Sequence, residues 1–253
     1  MDIDHLQRHW NKLGEQDPLW AILTRPDKKG GRWTIEEFFQ LGVAEISAVM
    51  EYLRGLGITA RPAKALDFGC GVGRLTQALA AYCDEVVGVD IAPSMIEQAT
   101  RLNSQGDRCR YLVNPGTDLT LVGDERFDLI YTNMVLQHMP PAFSARYIGE
   151  FVRVLSPGGV AVFQIPARPS GTFIGILLRI LPIGVIRAIR KMDMYGTSRD
   201  RVIKMVQNAG GEVVDIRDDS HAGPHWIGYR YCVRKRSWSN GGDAPFSFKA
   251  NTS

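Results

Sequence analysis

A turn that carries glycine at every second position restricts what this chain can fold into more than any other feature. An apolar stretch ends at Asp67, and the turn that follows contains Gly69, Gly71 and Gly73. Residues with helical spacing come next, so the order predicts a β-strand, a tight turn and an α-helix. Glycine adopts positive φ without steric cost and leaves the backbone bare, which lets a ligand lie against it. We therefore expect a binding site at this turn.

The spacing of the glycines separates two kinds of cofactor. Turns that bind dinucleotides favour G-x-G-x-x-G, with the diphosphate over the N-terminus of the helix. Here Arg74 occupies the position of the last glycine in that pattern. The stretch from Leu66 to Arg74 instead resembles the first motif of the class I S-adenosylmethionine-dependent methyltransferases, hydrophobic-D-x-G-x-G-x-G. An NAD-type oxidoreductase stays open as the alternative that Arg74 disfavours.

Strand and helix patterns alternate from this turn to about residue 165, which is typical of a parallel sheet. The resemblance covers about residues 64–165 and is to the small-molecule, ubiquinone/menaquinone-biosynthesis-like type. It implies an α/β fold, with a Rossmann-like, seven-stranded, mostly parallel sheet and helices on both faces. We expect an N-terminal helical cap at 1–60, the methyltransferase domain at 61–236 and a flexible tail at 237–253.

The resemblance implies S-adenosyl-L-methionine as the cofactor. Asp90 ends the second predicted strand, where a carboxylate can accept hydrogen bonds from both ribose hydroxyls. The other expected cofactor residues lie in the glycine turn or near the ends of strands. They are Asp67, Gly69, Cys70, Gly71, Gly73, Ile91, Met95, Asn114, Asp118, Asn133 and Met134. For Asn114 and Asp118, a role in a simple turn is the alternative.

Three histidines are candidate catalytic residues. His138 follows the fourth strand, and its surroundings are similar to the L-x-H-hydrophobic stretch of small-molecule family members. It can be a general base, a hydrogen-bond anchor or a structural histidine. His221 and His225 follow the sixth strand, whose end reaches the same edge of the sheet if that strand is parallel; solvated loop histidines are the alternative. The sequence shows no carboxylate cluster with ligand spacing around the fourth strand, so we expect no metal.

Two segments outside the core pattern have more than one interpretation. The polar N-terminal segment carries Trp10, Trp20 and Trp33, whose rings either dock on the core or belong to a lid over the ligand. An insertion at 166–196 has apolar residues at helical spacing beside basic ones, and it is too short and too interrupted to cross a bilayer. The insertion is a lid over an apolar or bulky acceptor, a peripheral membrane contact through 173–191, or a dimer surface.

Composition narrows the remaining classes. The chain has 253 residues with 45% hydrophobic content, enough for one α/β core, and its net charge of +3 is too mild to indicate a nucleic-acid partner. The four cysteines are scattered without a C-x-x-C pair, and the N-terminus lacks the pattern of a signal peptide. These features predict a cytoplasmic protein, monomeric or homodimeric, with a membrane-peripheral location left open by the insertion.

The expected reaction is in-line methyl transfer to a hydroxyl of a small molecule or saccharide, assisted by a histidine base. Three histidines at one edge favour an oxygen acceptor, because a hydroxyl must lose its proton near the transition state. The first segment also resembles bacterial family members associated with saccharide modification. A lipid-linked or quinone-like acceptor is the main alternative, since the insertion is apolar. A protein that binds the cofactor without catalysis is a further one.

Overall fold

The computed structural model describes residues 2–180 and 192–236, and seven strands in these ranges form one sheet. The strand order is β3-β2-β1-β4-β5-β7-β6. Strands β1 to β6 point the same way, and β7 runs antiparallel between β5 and β6. The strands are β1 Lys64–Phe68, β2 Glu85–Asp90, β3 Cys109–Val113, β4 Phe127–Thr132, β5 Leu155–Pro169, β6 Gly211–Asp219 and β7 Trp226–Lys235. The predicted Rossmann-like, mostly parallel sheet is confirmed.

Helices cover both faces of this sheet, also as predicted. On one face α3 and α4 pack over the strands, and on the other α6 and α8 do. The helices are α1 Ile3–Gln16, α2 Pro18–Ile22, α3 Ile35–Gly55, α4 Arg74–Leu79, α5 Pro93–Arg101, α6 Pro141–Val154, α7 Phe173–Ile180 and α8 Arg199–Asn208. Each face buries a hydrophobic cluster against its helices. The larger of the two clusters contains the aromatic residues Phe68, Phe127, Tyr147, Phe151, Phe163 and Tyr231.

The start of α3 shows how the sequence fixes an element locally. The Thr34 side chain accepts a hydrogen bond from the Glu37 backbone N–H at 3.2 Å, which satisfies one of the free donors at the helix N-terminus. Phe38, Ile46 and Val49 then recur at helical spacing and are fully buried. Burial of this stripe orients α3 and carries one of its faces toward the glycine turn.

The parallel direction of β6 brings its end to the edge of the sheet where β1, β2 and β4 also end. The strand order reverses between β1 and β4, and ligands of open α/β sheets bind in the crevice at such a point. The loop after β6, which contains His221, therefore approaches the crevice.

The insertion differs from its prediction at its start. Strand β5 extends to Pro169 because it pairs with β7 as far as Trp226, so the helical part begins later than residue 166. Helix α7 follows and leaves Phe173 and Ile180 exposed, at 77% and 69%. Residues 181–191 of the predicted helical insertion and the predicted tail at 237–253 lie outside the described residues. Within the described ranges, no helix combines the length and apolar character needed to span a membrane.

Candidate active site

A cavity of about 470 Å³ opens at the carboxyl edge of the sheet. Its wall combines the ends of β1, β2 and β4, the loop after β6, the N-terminal helices and residues 192 and 194. The volume is in the usual range for sites that bind small molecules. Of the residues predicted for the cofactor, the cavity wall contains Gly69, Cys70, Asp90, Ile91, Asn114, Asn133 and Met134.

Asp90 joins the second strand to the glycine turn. One carboxylate oxygen, Oδ2, accepts from the Gly71 backbone N–H and the other, Oδ1, from the Ala92 N–H, each at 2.9 Å. Burial raises the pKa of Asp90, although these hydrogen bonds oppose the shift. Because a carboxylate has about four acceptor sites, each oxygen can take one further hydrogen bond. Asp90 therefore stabilises the turn and still offers two acceptor positions to a ligand.

The glycine turn makes room for neighbouring side chains as well as for a ligand. Gly69 has φ +75°, and a Cβ there would overlap the Val135 side chain. At Gly71 a Cβ would meet the end of Ile22, a residue of α2. The missing Cβ atoms thus allow the loop after β4 and the N-terminal segment to pack on the turn.

Four residues predicted for the cofactor lie behind the cavity wall or near it. Asp67 is buried, its Oδ2 accepts from the Thr76 hydroxyl at 2.6 Å, and burial raises its pKa to about 7. Asp67 thereby links β1 to α4. The other three are not among the residues described as lining the cavity: Gly71 and Gly73 lie in the turn, and Met95 is buried in α5.

Asp118 is half-buried and is not among the residues described as lining the cavity. Its Oδ2 accepts from Arg146 at 2.7 Å, and its Oδ1 accepts from the Thr120 hydroxyl and backbone N–H. These bonds match the simple-turn alternative for Asp118. Asn114 does line the cavity, and its amide donates to the Asp118 carbonyl at 2.9 Å and to the Tyr147 hydroxyl at 3.2 Å.

Met134 has the strained backbone of this region. Its φ is +60°, in the left-handed region that non-glycine residues seldom adopt, and it lies in the cavity wall directly after Asn133. Such conformations persist only where the surrounding structure enforces them, and they concentrate at functional sites.

His138 is held in one tautomer by its two neighbours. Its Nδ1 lies 2.8 Å from the Asp193 carbonyl oxygen, and because a carbonyl only accepts, Nδ1 carries the hydrogen. The Gln137 amide then donates to Nε2 at 3.2 Å. Burial lowers the pKa of His138 to about 4. His138 is therefore neutral near pH 7, a weak proton acceptor and engaged at both ring nitrogens, which suits a structural role better than that of a general base.

His221, in contrast to His138, has a carboxylate beside its ring. Its Nδ1 lies 2.8 Å from Asp219 Oδ1, and Asp219 Oδ2 accepts from Arg230 at 2.9 Å. The hydrogen bond to Asp219 raises the pKa of His221 above its ordinary value. His221 lines the cavity, whereas His225 hydrogen-bonds the Thr172 hydroxyl at 3.1 Å and is not among the described lining residues.

The N-terminal segment covers the cavity with apolar side chains. Ile3, Leu6 and Trp10 of α1 and Trp20 and Ile22 of α2 all belong to its wall. The Trp10 ring meets the His138 ring edge-on, with centroids 5.2 Å apart. Trp10 and Trp20 fit both interpretations of the tryptophans, because they pack on the core and also line the cavity. Trp33 is buried beside Phe38.

Sequence reasoning missed a carboxylate beside the cavity whose side chain is only 14% exposed. Glu45, on α3, accepts from the Tyr131 hydroxyl and the Asn133 amide at 2.8 Å and from Arg74 at 2.9 Å. The available signal was an acid next to Ile46 on the otherwise apolar, buried stripe of α3. Across the part of the chain that the structure describes, no three His, Cys, Asp or Glu side chains form a group able to hold a metal ion.

Comparison with known proteins agrees with this geometry. Residues 66–163 match the family model described as a methyltransferase domain. The 2-methyl-6-phytyl-1,4-hydroquinone methyltransferase of Synechocystis sp. is 27% identical over 60% of this chain and 47% of its own length. A ubiquinone biosynthesis O-methyltransferase of Psychrobacter arcticus is 30% identical over 61% and 57%, respectively. The matched regions thus span about half the length of these relatives.

The fold has similar solved structures. The magnesium protoporphyrin IX methyltransferase of Synechocystis PCC 6803, crystallised with SAH, superposes with a TM-score of 0.64 at 18% identity, over 93% of this chain and 100% of the other. At that identity the likeness concerns the fold alone. Residues 66–163 thus match a methyltransferase domain, and the sheet topology and the glycine turn agree with the class I S-adenosylmethionine-dependent methyltransferase fold.

Proposed function

We propose that this chain transfers a methyl group from S-adenosylmethionine to a hydroxyl of a small, largely apolar acceptor. The observation that carries the proposal is a single cavity whose wall includes both Asp90, at the end of β2, and His221, after β6. A carboxylate suited to a ribose diol and an imidazole suited to accept a proton thus face the same space.

The residues at the ends of β2 and β3 fit the adenosine part of the cofactor. Asp90 keeps an acceptor position on each oxygen for the two ribose hydroxyls. Ile91 offers an apolar side chain to the adenine, and Asn114, whose amide nitrogen is engaged within the protein, offers its side-chain oxygen at the same wall. When bound, S-adenosylmethionine supplies a methyl group on a positively charged sulfur, which is a good leaving group.

The rest of the cavity favours an apolar acceptor over a saccharide. Aromatic and sulfur-containing side chains adapt well to flat or flexible apolar ligands. A sugar would leave most of its hydroxyls without partners on such a wall, which is costly. Two relatives carry names that refer to hydroquinone methylation and to ubiquinone biosynthesis, which supports the same class. The apolar residues concerned are Ile3, Leu6, Trp10, Met139, Met192 and Met194.

His221 takes the proton in the proposed reaction. Its Nδ1 is engaged by Asp219, so Nε2 is the nitrogen available to the acceptor hydroxyl. The hydroxyl oxygen forms a bond to the methyl carbon while the carbon–sulfur bond breaks, and the hydroxyl proton passes to Nε2. The negative charge of Asp219 stabilises the imidazolium that forms. His138, neutral and with both ring nitrogens engaged by Asp193 and Gln137, supports the wall beside the acceptor.

The proposal is tested by measuring S-adenosylhomocysteine release with a panel of acceptors. The panel contrasts alkyl-substituted hydroquinones and catechols with simple hexoses of similar size. We expect turnover with the phenols and a loss of about 100-fold or more in kcat for His221→Ala, the usual scale for general-base catalysis. His5→Ala, at an exposed position, is the matched control and keeps full activity.

Three results would contradict the proposal in different ways. Turnover of hexoses with no turnover of phenols overturns the apolar acceptor class but keeps the methyl transfer. Tight binding of the cofactor without turnover of any acceptor points to a binding protein. If His221→Ala keeps full activity while His138→Ala loses it, the proton acceptor is His138.

A further inference from the structure

Glu45 is the centre of a buried polar group that the proposed reaction does not use. It lies on α3 and receives hydrogen bonds from β4 through Tyr131 and Asn133 and from α4 through Arg74. Burial by itself raises the pKa of Glu45, but Arg74 and the hydrogen bonds from Asn133 and Tyr131 outweigh it and hold that pKa below its ordinary value. Glu45 is therefore a carboxylate at neutral pH.

A carboxylate in this position fixes the orientation of the Asn133 amide. Because ionised Glu45 only accepts hydrogen bonds, Asn133 must turn its Nδ2 toward it, at 2.8 Å. Asn133 Oδ1 is then left as an acceptor, and it is buried without a hydrogen-bond partner among the described residues. Asn133 is 7% exposed and belongs to the cavity wall. Buried acceptors without partners are rare, so this one points to a ligand donor.

Arg74 carries a second buried polar atom without a partner in the described part of the chain, in this case a hydrogen-bond donor. Its side chain is 3% exposed, its Nη2 donates to Glu45 at 2.9 Å, and its guanidinium lies over the Phe38 ring, 5.7 Å from the centroid. Arg74 Nε is buried without a partner among the described residues, and Arg74 also lines the cavity. A donor and an acceptor, each without a partner in the described ranges, thus belong to the same wall, both on side chains held by the same carboxylate.

The unsatisfied pair complements an α-amino acid. An ammonium group needs acceptors, a carboxylate needs donors, and the methionine end of S-adenosylmethionine carries both. We propose that Glu45 is a positioning residue, which holds Asn133 Oδ1 to accept from the cofactor's ammonium and the Arg74 guanidinium to donate to its carboxylate. This inference rests on the proposed function, since it needs S-adenosylmethionine in the cavity.

The position of the pair is consistent with the adenosine site. Asn133 follows β4 and Asp90 ends β2, and these strands flank β1 on opposite sides. An adenosine at the β2 side leaves the β4 side for the other end of the cofactor. The reaction centre then falls near Met134 and the histidines that share this wall.

The test uses two ligands that differ only in the amino-acid group. S-adenosylhomocysteine carries it, whereas 5′-methylthioadenosine keeps the adenosine and the thioether and lacks it. Affinity for both is measured by calorimetry on the whole chain and on Glu45→Gln, Asn133→Leu and Arg74→Lys. Glu51→Gln, an exposed position on the same helix, is the matched control. Thermal unfolding of each variant checks that it is folded.

We expect Glu45→Gln and Asn133→Leu to weaken S-adenosylhomocysteine about tenfold or more and to change 5′-methylthioadenosine less than about twofold. Arg74→Lys keeps a cation and should lose less than either. Equal weakening of both ligands, or of neither, overturns the inference. If Glu45→Gln does not fold, Asn133→Leu alone decides. Failure of the unaltered chain to bind either ligand would refute the proposed function itself, which is a separate outcome.

Discussion

Replacing Asp90 by asparagine tests separately the two roles of this side chain, which are stabilising the glycine turn and binding a ligand. The change keeps the size of the side chain but converts one acceptor oxygen into an NH2 donor. In the structure Oδ1 and Oδ2 accept from the backbone N–H groups of Ala92 and Gly71. The single oxygen of asparagine can serve only one of these two donors. The variant therefore loses one hydrogen bond within the protein and one of the two that we propose for the ribose.

The size of both losses follows from the charge on the acceptor. A hydrogen bond to a charged group contributes about 1.5–3 kcal/mol. The free energy of unfolding of Asp90→Asn should fall by about that amount in the absence of ligand. The lost ribose bond costs the complex a similar amount, and since 1.4 kcal/mol is a factor of ten, Kd for S-adenosylhomocysteine should rise about 10- to 100-fold.

Calorimetry and urea unfolding measure the two effects independently. Asp107→Asn, at an exposed position before β3, is the matched control and should change neither quantity. A variant that loses stability but binds S-adenosylhomocysteine with unchanged Kd would refute the ribose assignment, because Asp90 would then only hold the turn.

Three further perturbations test the remaining parts of the site. Asp219→Asn removes the group that raises the pKa of His221. Because the neutral imidazole is the base, the acid limb of the pH profile of kcat/KM should move to lower pH. An unmoved limb would exclude His221 as the base. For His138 the folded pKa of about 4 lies below its ordinary 6.5, so its contribution to stability is complete above pH 6.5 and lost as pH falls toward 4. The unfolding free energy of His138→Gln should fall less over that interval, and an identical fall would contradict the assigned shift. Gly69→Ala forces a Cβ onto Val135 at φ +75° and should cost about 1–3 kcal/mol in urea unfolding, partly restored by Val135→Ala. Absence of that restoration would place the strain elsewhere.

The sheet and its crevice could be predicted because they depend on patterns within short stretches. The apolar run before Asp67, the glycine turn and the acid at Asp90 each specify a local structure. Parallel strands then carry their ends to one edge, so residues distant in the chain meet without further information. The same reasoning correctly placed the loop of His221 at that edge.

The detailed contacts could not be predicted because they join residues far apart in sequence. Glu45 meets Asn133 across 88 positions, and no local pattern relates the two. Near the end of β1, Asp67 accepts a hydrogen bond from Thr76, and this contact depends on how α4 packs against the strand. Likewise, proximity to β4 made His138 a candidate base, whereas its lowered pKa depends on burial and its tautomer on the carbonyl of Asp193, 55 positions away.

The two histidines of the cavity wall have pKa values shifted in opposite directions. Burial lowers the pKa of His138 to about 4, while Asp219 raises that of His221. Groups that are separated in this way can take different roles at one pH. His138 stays neutral with both ring nitrogens engaged by Gln137 and Asp193, whereas His221, paired with a carboxylate through Nδ1, keeps Nε2 for the acceptor's proton. We infer that His138 supports the cavity wall and that His221 carries out the proton transfer.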